Sequence, residues 1–138
     1  MISKINLIGQ GEEVTILDAE LTARVITMEW CQNNYIANFS ITGGYTEGDG
    51  GGIKITVCSL LQLNNLNINW NQALGYGGGI AVISSAVPSP FSTPLKFNNV
   101  MLTSNFAFRG GGIYLYNSSL NANKLTVIYN LSESSGSG

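Results

Sequence analysis

Apolar and polar residues alternate over short stretches, and the same alternation returns several times along the chain. The four clearest stretches are YIANFSITGG from Tyr35, LQLNNLNINWN from Leu61, LKFNNVMLTSN from Leu95 and LNANKLTVIYN from Leu120. A period of two is typical of a β-strand with one buried face. No window has a convincing helical period. The pattern therefore predicts an all-β chain built from repeated short strands.

Glycine triplets mark a second repeated position, always directly before a strand. They occur in GDGGGIKI, GYGGGIAV and FRGGGIYL, whose isoleucines are Ile53, Ile80 and Ile113. The first interval is 27 residues and the second is 33. The longer interval contains SSAVPSPFSTP from Ser84, which carries all three prolines and is interpreted as an inserted loop. A step of 27 back from Ile53 reaches Ile26, so the chain repeats a unit of this length.

A unit with two or three short strands and no helix cannot bury its apolar face alone, so it must stack on copies of itself. This predicts a parallel β-solenoid in which successive coils lie about 4.8 Å apart. The predicted organisation is an opening coil over 2–23, coils near 24–50, 51–77, 78–110 and 111–131, and a flexible tail or linker over 132–138.

One strand of each coil begins at Ile26, Ile53, Ile80 or Ile113 and is called here the front strand. The alternation assigns its two faces. Its predicted core residues are Ile26, Met28, Trp30, Ile53, Ile55, Val57, Ile80, Val82, Ile113 and Leu115. Its predicted outward residues, called here the front face, are Thr27, Glu29, Lys54, Thr56, Ala81, Ile83, Tyr114 and Tyr116. The later strand of each coil adds Phe39, Ile41, Leu66, Ile68, Val100, Leu102, Leu125 and Val127 to the core.

Over Ile5 to Asn130 the chain resembles the right-handed parallel β-helices of the pectin lyase-like superfamily. The opening INLIGQGEEVTILDA is similar to the first coil of such proteins, and Asn38, Asn65 and Asn99 match the asparagine ladder of the family's tight turn. Asparagine tolerates left-handed backbone, and stacked amides can bond to one another. The resemblance implies a right-handed, single-stranded β-helix of about four coils, with glycines in the turn at Gly51, Gly52, Gly78, Gly79, Gly111 and Gly112.

Composition narrows the classes of partner. Only 10% of residues are charged and the net charge is −2, so a phosphate backbone or an anionic membrane surface is not an expected partner. No apolar run is long enough to span a bilayer, which argues against membrane insertion. There is no histidine for a zinc site or a Ser-His nucleophile. The start MISKINLIGQ lacks the apolar core of a signal peptide, and we expect a mature piece of an extracellular or cell-surface protein.

The front face is the candidate ligand surface, because the resemblance implies that polysaccharides lie along it. Tyr114 and Tyr116 offer aromatic rings for sugars, and Glu29 and Lys54 are its charged residues. Stacked tyrosines also stabilise neighbouring strands without any ligand, so both interpretations remain open.

Two further pairs of residues could form a metal site or a covalent bond. Glu47 and Asp49 in TEGDGGG could hold Ca²⁺ together with nearby carbonyls, or could be solvated turn residues; no other cofactor is predicted. Cys31 and Cys58 fall one repeat apart, within reach of a disulfide, and either a bridge or two stacked thiols is compatible with that spacing.

The sequence favours a non-catalytic scaffold of a secreted or cell-surface protein, with polysaccharide as the candidate ligand. One alternative is a fragment of a polysaccharide lyase or glycoside hydrolase, although Glu29 is the sole carboxylate predicted on the front face and such chemistry needs more. Another is a self-stacking module, because open solenoid ends expose core and strand edges that a second copy could cover end to end.

Overall fold

The computed structural model describes residues 3–85 and 94–134 as a stack of parallel strands. The described residues contain fourteen strands and no helix. Most of the predicted proline-rich loop, at 86–93, lies outside the described residues, as do residues 1–2 and the last four residues of the predicted tail. The predicted fold class, an all-β parallel solenoid of about four coils, is confirmed.

The strands form three sheets that run along the solenoid axis. The front sheet contains β3 (Ile26–Glu29), β6 (Ile53–Thr56), β9 (Ile80–Ile83) and β12 (Ile113–Tyr116). The long-strand sheet contains β1 (Asn6–Ile8), β2 (Ile16–Asp18), β4 (Tyr35–Thr42), β7 (Gln62–Asn69), β10 (Leu95–Thr103) and β13 (Leu120–Ile128). The short-strand sheet contains β5 (Tyr45–Thr46), β8 (Gln72–Tyr76), β11 (Phe106–Arg109) and β14 (Leu131–Ser132).

Each strand pairs in parallel with the equivalent strand of the next coil. Ile53 lies between Ile26 and Ile80, and Ile80 pairs with Ile113 on its other side. The predicted register of the front strands is therefore the observed one. Equivalent residues of successive coils therefore stack directly on one another and form a column along the axis. The residues of one column share the same environment.

The long strands bend sharply in the middle at the predicted asparagine ladder. Asn38, Asn65 and Asn99 have left-handed backbone, with φ of 65°, 49° and 52°. Asn65 Nδ2 donates to Asn38 Oδ1 at 3.1 Å, and Asn99 Nδ2 donates to Asn65 Oδ1 at 3.0 Å. Lys124 keeps the corner with φ of 60° but has no amide to continue the ladder. The bend lets both halves of one strand face the core.

The core is a continuous apolar column inside the three sheets. It contains Met28, Ile41, Ile55, Ile68, Phe97 and Leu102, all fully buried. Three predicted core positions are wrong: Trp30 and Leu115 are 78% and 44% exposed, and Val57 is half-buried. Trp30 and Val57 follow the last residue of a front strand and have φ of 52°, and this left-handed turn takes their side chains out of the alternation. Leu115 lies on β12, the terminal strand of the front sheet, so no further strand pairs beyond it.

The glycine triplets lie where the backbones of adjacent coils approach most closely. A Cβ on Gly78 would lie 2.3 Å from the carbonyl oxygen of Phe106 and 2.5 Å from that of Gly111. These contacts involve main-chain atoms of the next coil, so small side-chain movements cannot relieve them. The glycine is required by space, and the same close approach recurs at Gly51 and Gly111.

The two cysteines occupy one buried column that serine continues. Cys31 Sγ and Cys58 Sγ are 2.7 Å apart as free thiols, and both residues are at most 3% exposed. Ser85 Oγ accepts from Cys58 N at 3.0 Å. Ser118 Oγ accepts in the same way from Ser85 N at 3.0 Å. Burial, and then the hydrogen bond with Cys58, raise the pKa of Cys31 to about 12.

Gly78→Val is expected to destabilise the fold by about 3 kcal/mol or more, because overpacking against rigid backbone is more costly than against side chains. Urea unfolding followed by circular dichroism measures the loss. The matched control is Gly48→Val, since a Cβ there would meet only Thr46 Oγ1 at 3.8 Å. Equal unfolding midpoints for the two variants would contradict the crowding argument.

The cysteine thiols are expected to resist a thiol reagent in the folded protein at pH 8, because a raised pKa keeps Cys31 protonated. Two thiols should react after unfolding in urea without reductant. The folded pKa lies above the unfolded value of about 8.5, so this contribution to stability is present below that pH and is lost as pH rises towards the folded value. Finding no thiol after unfolding would show a bridged pair instead.

Candidate functional site

The front face places the four predicted ligand residues on one sheet but not in one cluster. Lys54 and Tyr114 belong to the same column, with Ala81 between them. Glu29 and Tyr116 belong to the next column and are separated by two intervening coils. The charged residues therefore lie towards the first coil and the tyrosines towards the last.

Tyr114 is part of an aromatic pair that the sequence pattern only partly suggests. Its ring stacks on Tyr76 with centroids 4.6 Å apart and an interplanar angle of 21°. Ala81, predicted to point outward, is fully buried in this region. Tyr116 is 59% exposed. One face of Tyr114 is thus engaged by the protein itself, and Tyr116 is the more accessible ring of the pair proposed for ligand binding.

The acidic turn that contains Glu47 and Asp49 is organised by Arg24, a residue that the sequence analysis missed. Arg24 Nε donates to the carbonyl oxygen of Gly50 at 2.8 Å, and Nη2 donates to that of Asp49 at 2.8 Å. Asp49 Oδ1 accepts from Tyr76 N at 2.9 Å, and Glu47 is exposed. The only signal in the sequence was an isolated arginine just before a front strand.

Electrostatics at this turn bear on the calcium hypothesis. Burial lowers the pKa of Arg24, and the charges of Asp49 and Glu29 oppose that shift. A guanidinium ion remains charged at any physiological pH. It therefore supplies positive charge to the same carbonyls that a Ca²⁺ would need. Within 3–85 and 94–134, no group of three or more acidic, His or Cys side chains could hold a metal ion. The Ca²⁺ site at Glu47 and Asp49 stays a prediction.

A groove on another side of the solenoid brings together residues that the sequence analysis did not select. It encloses about 740 Å³ and its lining includes Leu21, Trp70, Ser104 and Tyr129. Trp70 is 69% exposed and Tyr129 is 85% exposed. Large exposed aromatic side chains beside a concavity are characteristic of binding surfaces.

The groove is built on a column of left-handed residues that follows the long strands. Gly43, Trp70, Ser104 and Tyr129 occupy equivalent positions after β4, β7, β10 and β13, with φ between 53° and 63°. A side chain at such a corner points away from the core, as it does at Trp30. We name this column the groove ridge.

A second asparagine ladder, buried and also missed, holds the groove ridge in place. Asn71 N and Nδ2 both donate to Asn105 Oδ1 at 3.0 Å. Asn105 N and Nδ2 donate in turn to Asn130 Oδ1, at 3.0 and 2.9 Å. Each of these amides also donates to a carbonyl near the end of a long strand. Since unsatisfied buried amides are costly, this ladder fixes the turn.

The sequence did contain a signal for both features. The aligned endings NWN, TSN and IYN place an asparagine last in each repeat and a variable residue before it. The final asparagine is the buried ladder, and the variable residue is the groove ridge. The alternation of apolar residues does not reveal these positions, because they lie beyond the strand ends.

Comparison with known proteins shows a sequence similarity to a bacterial protein. Over 110 residues the chain is 32% identical to Probable autotransporter YfaL of Escherichia coli (strain K12). The match covers 78% of this chain and 8% of that protein, so the chain spans less than a tenth of its relative. No family model and no solved structure matches the chain.

Across 3–85 and 94–134 no helix has the length and apolar character needed to cross a bilayer.

The described chain is a parallel β-helix repeat whose coils stack in register from the first front strand to the last.

Proposed function

We propose that this chain forms a group of coils in the rigid β-helical part of a cell-surface protein. The observation that carries the proposal is the match of most of the solenoid to a short part of a probable autotransporter. A stack of coils suits such a role, since every added coil lengthens the rod by about 4.8 Å without a new fold. The low charged fraction of 10% is compatible with a structural element.

The front face is the proposed surface for polysaccharide contact. A flat parallel sheet gives a linear polymer a regular surface, and Tyr116 offers a largely exposed ring beside the Tyr76–Tyr114 stack. Glu29 and Lys54 lie farther along the same face and would meet a longer polymer. The proposal is non-catalytic binding.

The alternative of an enzyme fragment has no supporting observation among the described residues. Of the eight front-face residues, only Glu29 is a carboxylic acid. Hydrolysis of a glycosidic bond uses two carboxyl groups about 5 to 9.5 Å apart. Glu47 and Asp49 belong to the turn that Arg24 organises and are not positioned on the front sheet.

Self-stacking is a second candidate, favoured by the open edge at the last described coil. β12, β13 and β14 are the terminal strands of their sheets. Leu115, Ile128 and Leu131 are 44%, 44% and 60% exposed there. At the opposite end Ile8 and Ile16 are each 59% exposed. Head-to-tail contact between such ends would be heterologous and could propagate.

Binding at the front face predicts that Tyr116→Ala weakens affinity for a retained polysaccharide several-fold, because an aromatic contact contributes about 0.5–1.5 kcal/mol. Affinity electrophoresis against a panel of neutral and acidic polysaccharides measures this. Phe108→Ala is the control, since Phe108 is 40% exposed on the short-strand sheet. Equal retention of both variants, or no retention of the parent on any polymer, would contradict binding at this face.

Self-stacking predicts that the mean mass measured by light scattering rises with protein concentration. Ile128→Lys should restore the monomer, because a lysine on an open strand edge opposes pairing. Met101→Lys is the control, as Met101 is 38% exposed in the same sheet but on a strand paired on both sides. A monomer at every concentration excludes self-stacking of this chain.

A further inference from the structure

The groove ridge alternates small and large side chains at successive coils. Gly43 is followed by Trp70, then Ser104, then Tyr129. On the first-coil side Leu21, which is 58% exposed, donates its backbone N–H to the carbonyl oxygen of Gly43 at 2.6 Å. Ser104 therefore lies at the base of a notch between Trp70 and Tyr129, whereas the space next to Gly43 is occupied by the Asp18 carboxylate.

The notch at Ser104 has the dimensions of one saturated ring. Trp70, Ser104 and Tyr129 follow paired strand ends on three successive coils, so Trp70 and Tyr129 stand two coils apart, roughly 9.6 Å at the ordinary spacing of strands. A group placed midway would be roughly 4.8 Å from each aromatic side chain. That gap is wide for a flat aromatic ring in stacked contact and suits a thicker, puckered ring with C–H groups on both faces, such as a pyranose.

Polar side chains also line the groove. Ser104 forms the base of the notch, and the lining also includes Thr42 and Gln72. The groove volume of about 740 Å³ falls in the ordinary range for ligand sites, roughly 300–1,000 Å³. It exceeds one sugar ring, so the groove has room for a chain of more than one residue.

The charged side chains of the groove lining favour neutral over acidic glycans. The lining contains the carboxylates of Asp18 and Glu20 and neither lysine nor arginine. Asp18 Oδ1 accepts from Glu20 N at 2.8 Å, which holds the two residues in one turn. A polyuronate would bring like charge to this end of the groove without a cation to offset it. The groove is therefore suited to a neutral glycan.

The backbone that carries the two walls of the notch, Trp70 and Tyr129, is also held rigidly. Trp70 and Tyr129 directly precede Asn71 and Asn130 of the buried ladder, and Ser104 precedes Asn105. A site whose backbone is already fixed loses less conformational entropy on binding than a loop would. Because the buried ladder fixes the backbone on both sides of the notch, the distance between Trp70 and Tyr129 does not depend on a bound ligand.

We propose that the groove along Leu21, Trp70, Ser104 and Tyr129 binds a neutral glycan chain, with one pyranose ring held between Trp70 and Tyr129 above Ser104. This site lies after the long strands and not on the front sheet. It therefore goes beyond the proposed front-face binding, and either site can fail without the other.

The test is calorimetric titration of the full chain with cellohexaose, laminarihexaose and chitohexaose, with hexagalacturonate as the acidic comparator. Trp70→Ala removes one wall, and Ser104→Phe fills the notch while keeping both walls. The column accepts a bulky residue at this backbone angle, as Trp70 and Tyr129 show. Trp30→Ala is the matched control, because Trp30 is 78% exposed at a left-handed corner of the front strand.

The expected result is binding of at least one neutral hexasaccharide, with hexagalacturonate weaker. Affinity should fall about ten-fold in Trp70→Ala and in Ser104→Phe, and stay unchanged in Trp30→Ala, with circular dichroism showing that all are folded. Absence of binding by all three neutral probes overturns the proposal, as does equal binding of hexagalacturonate. Retained affinity in Ser104→Phe would also overturn it, and self-association lost in Trp70→Ala would identify a second copy as the occupant.

Discussion

Parallel hydrogen bonding between adjacent coils is the interaction on which the rest of the structure depends. It brings each residue onto its counterpart one repeat away, so that a column and not a single residue is the unit of packing. The glycine column must leave room for the carbonyls of the next coil, and the serines that continue the cysteine column accept hydrogen bonds from backbone amides of the preceding coil. A substitution therefore acts on the neighbouring coils as well as its own.

The left-handed corners follow from the same constraint, because a coil has to turn sharply several times within about 27 residues. At two of these corners asparagine ladders satisfy the turn: one is exposed at Asn65 and Asn99, and the other is buried at Asn71 and Asn105. At the second of these corners the left-handed residue precedes the ladder asparagine and differs from coil to coil. This is how an architectural requirement creates a surface such as the groove ridge, on which large side chains can stand at fixed spacing.

Sequence periodicity could predict the stacking, the register of the front strands and the exposed asparagine ladder, because these depend on repetition alone. It could not place Trp30 or Val57, since alternation does not show where a strand gives way to a left-handed residue. Arg24 was missed because its partners are backbone carbonyls some 25 residues away, which no pattern of side chains encodes. Trp70 and Tyr129 were missed because each looks like an isolated aromatic until the repeats are stacked.

The two proposed binding surfaces and the open ends are geometrically independent. The front face and the groove ridge both run parallel to the solenoid axis, whereas the unpaired strands β12, β13 and β14 face along it. Coils added at that edge would extend both lateral surfaces without covering either. A scaffold role and a glycan-binding role are therefore compatible in one molecule. The length of glycan that a ridge could accommodate would grow with the number of coils that repeat its small and large alternation.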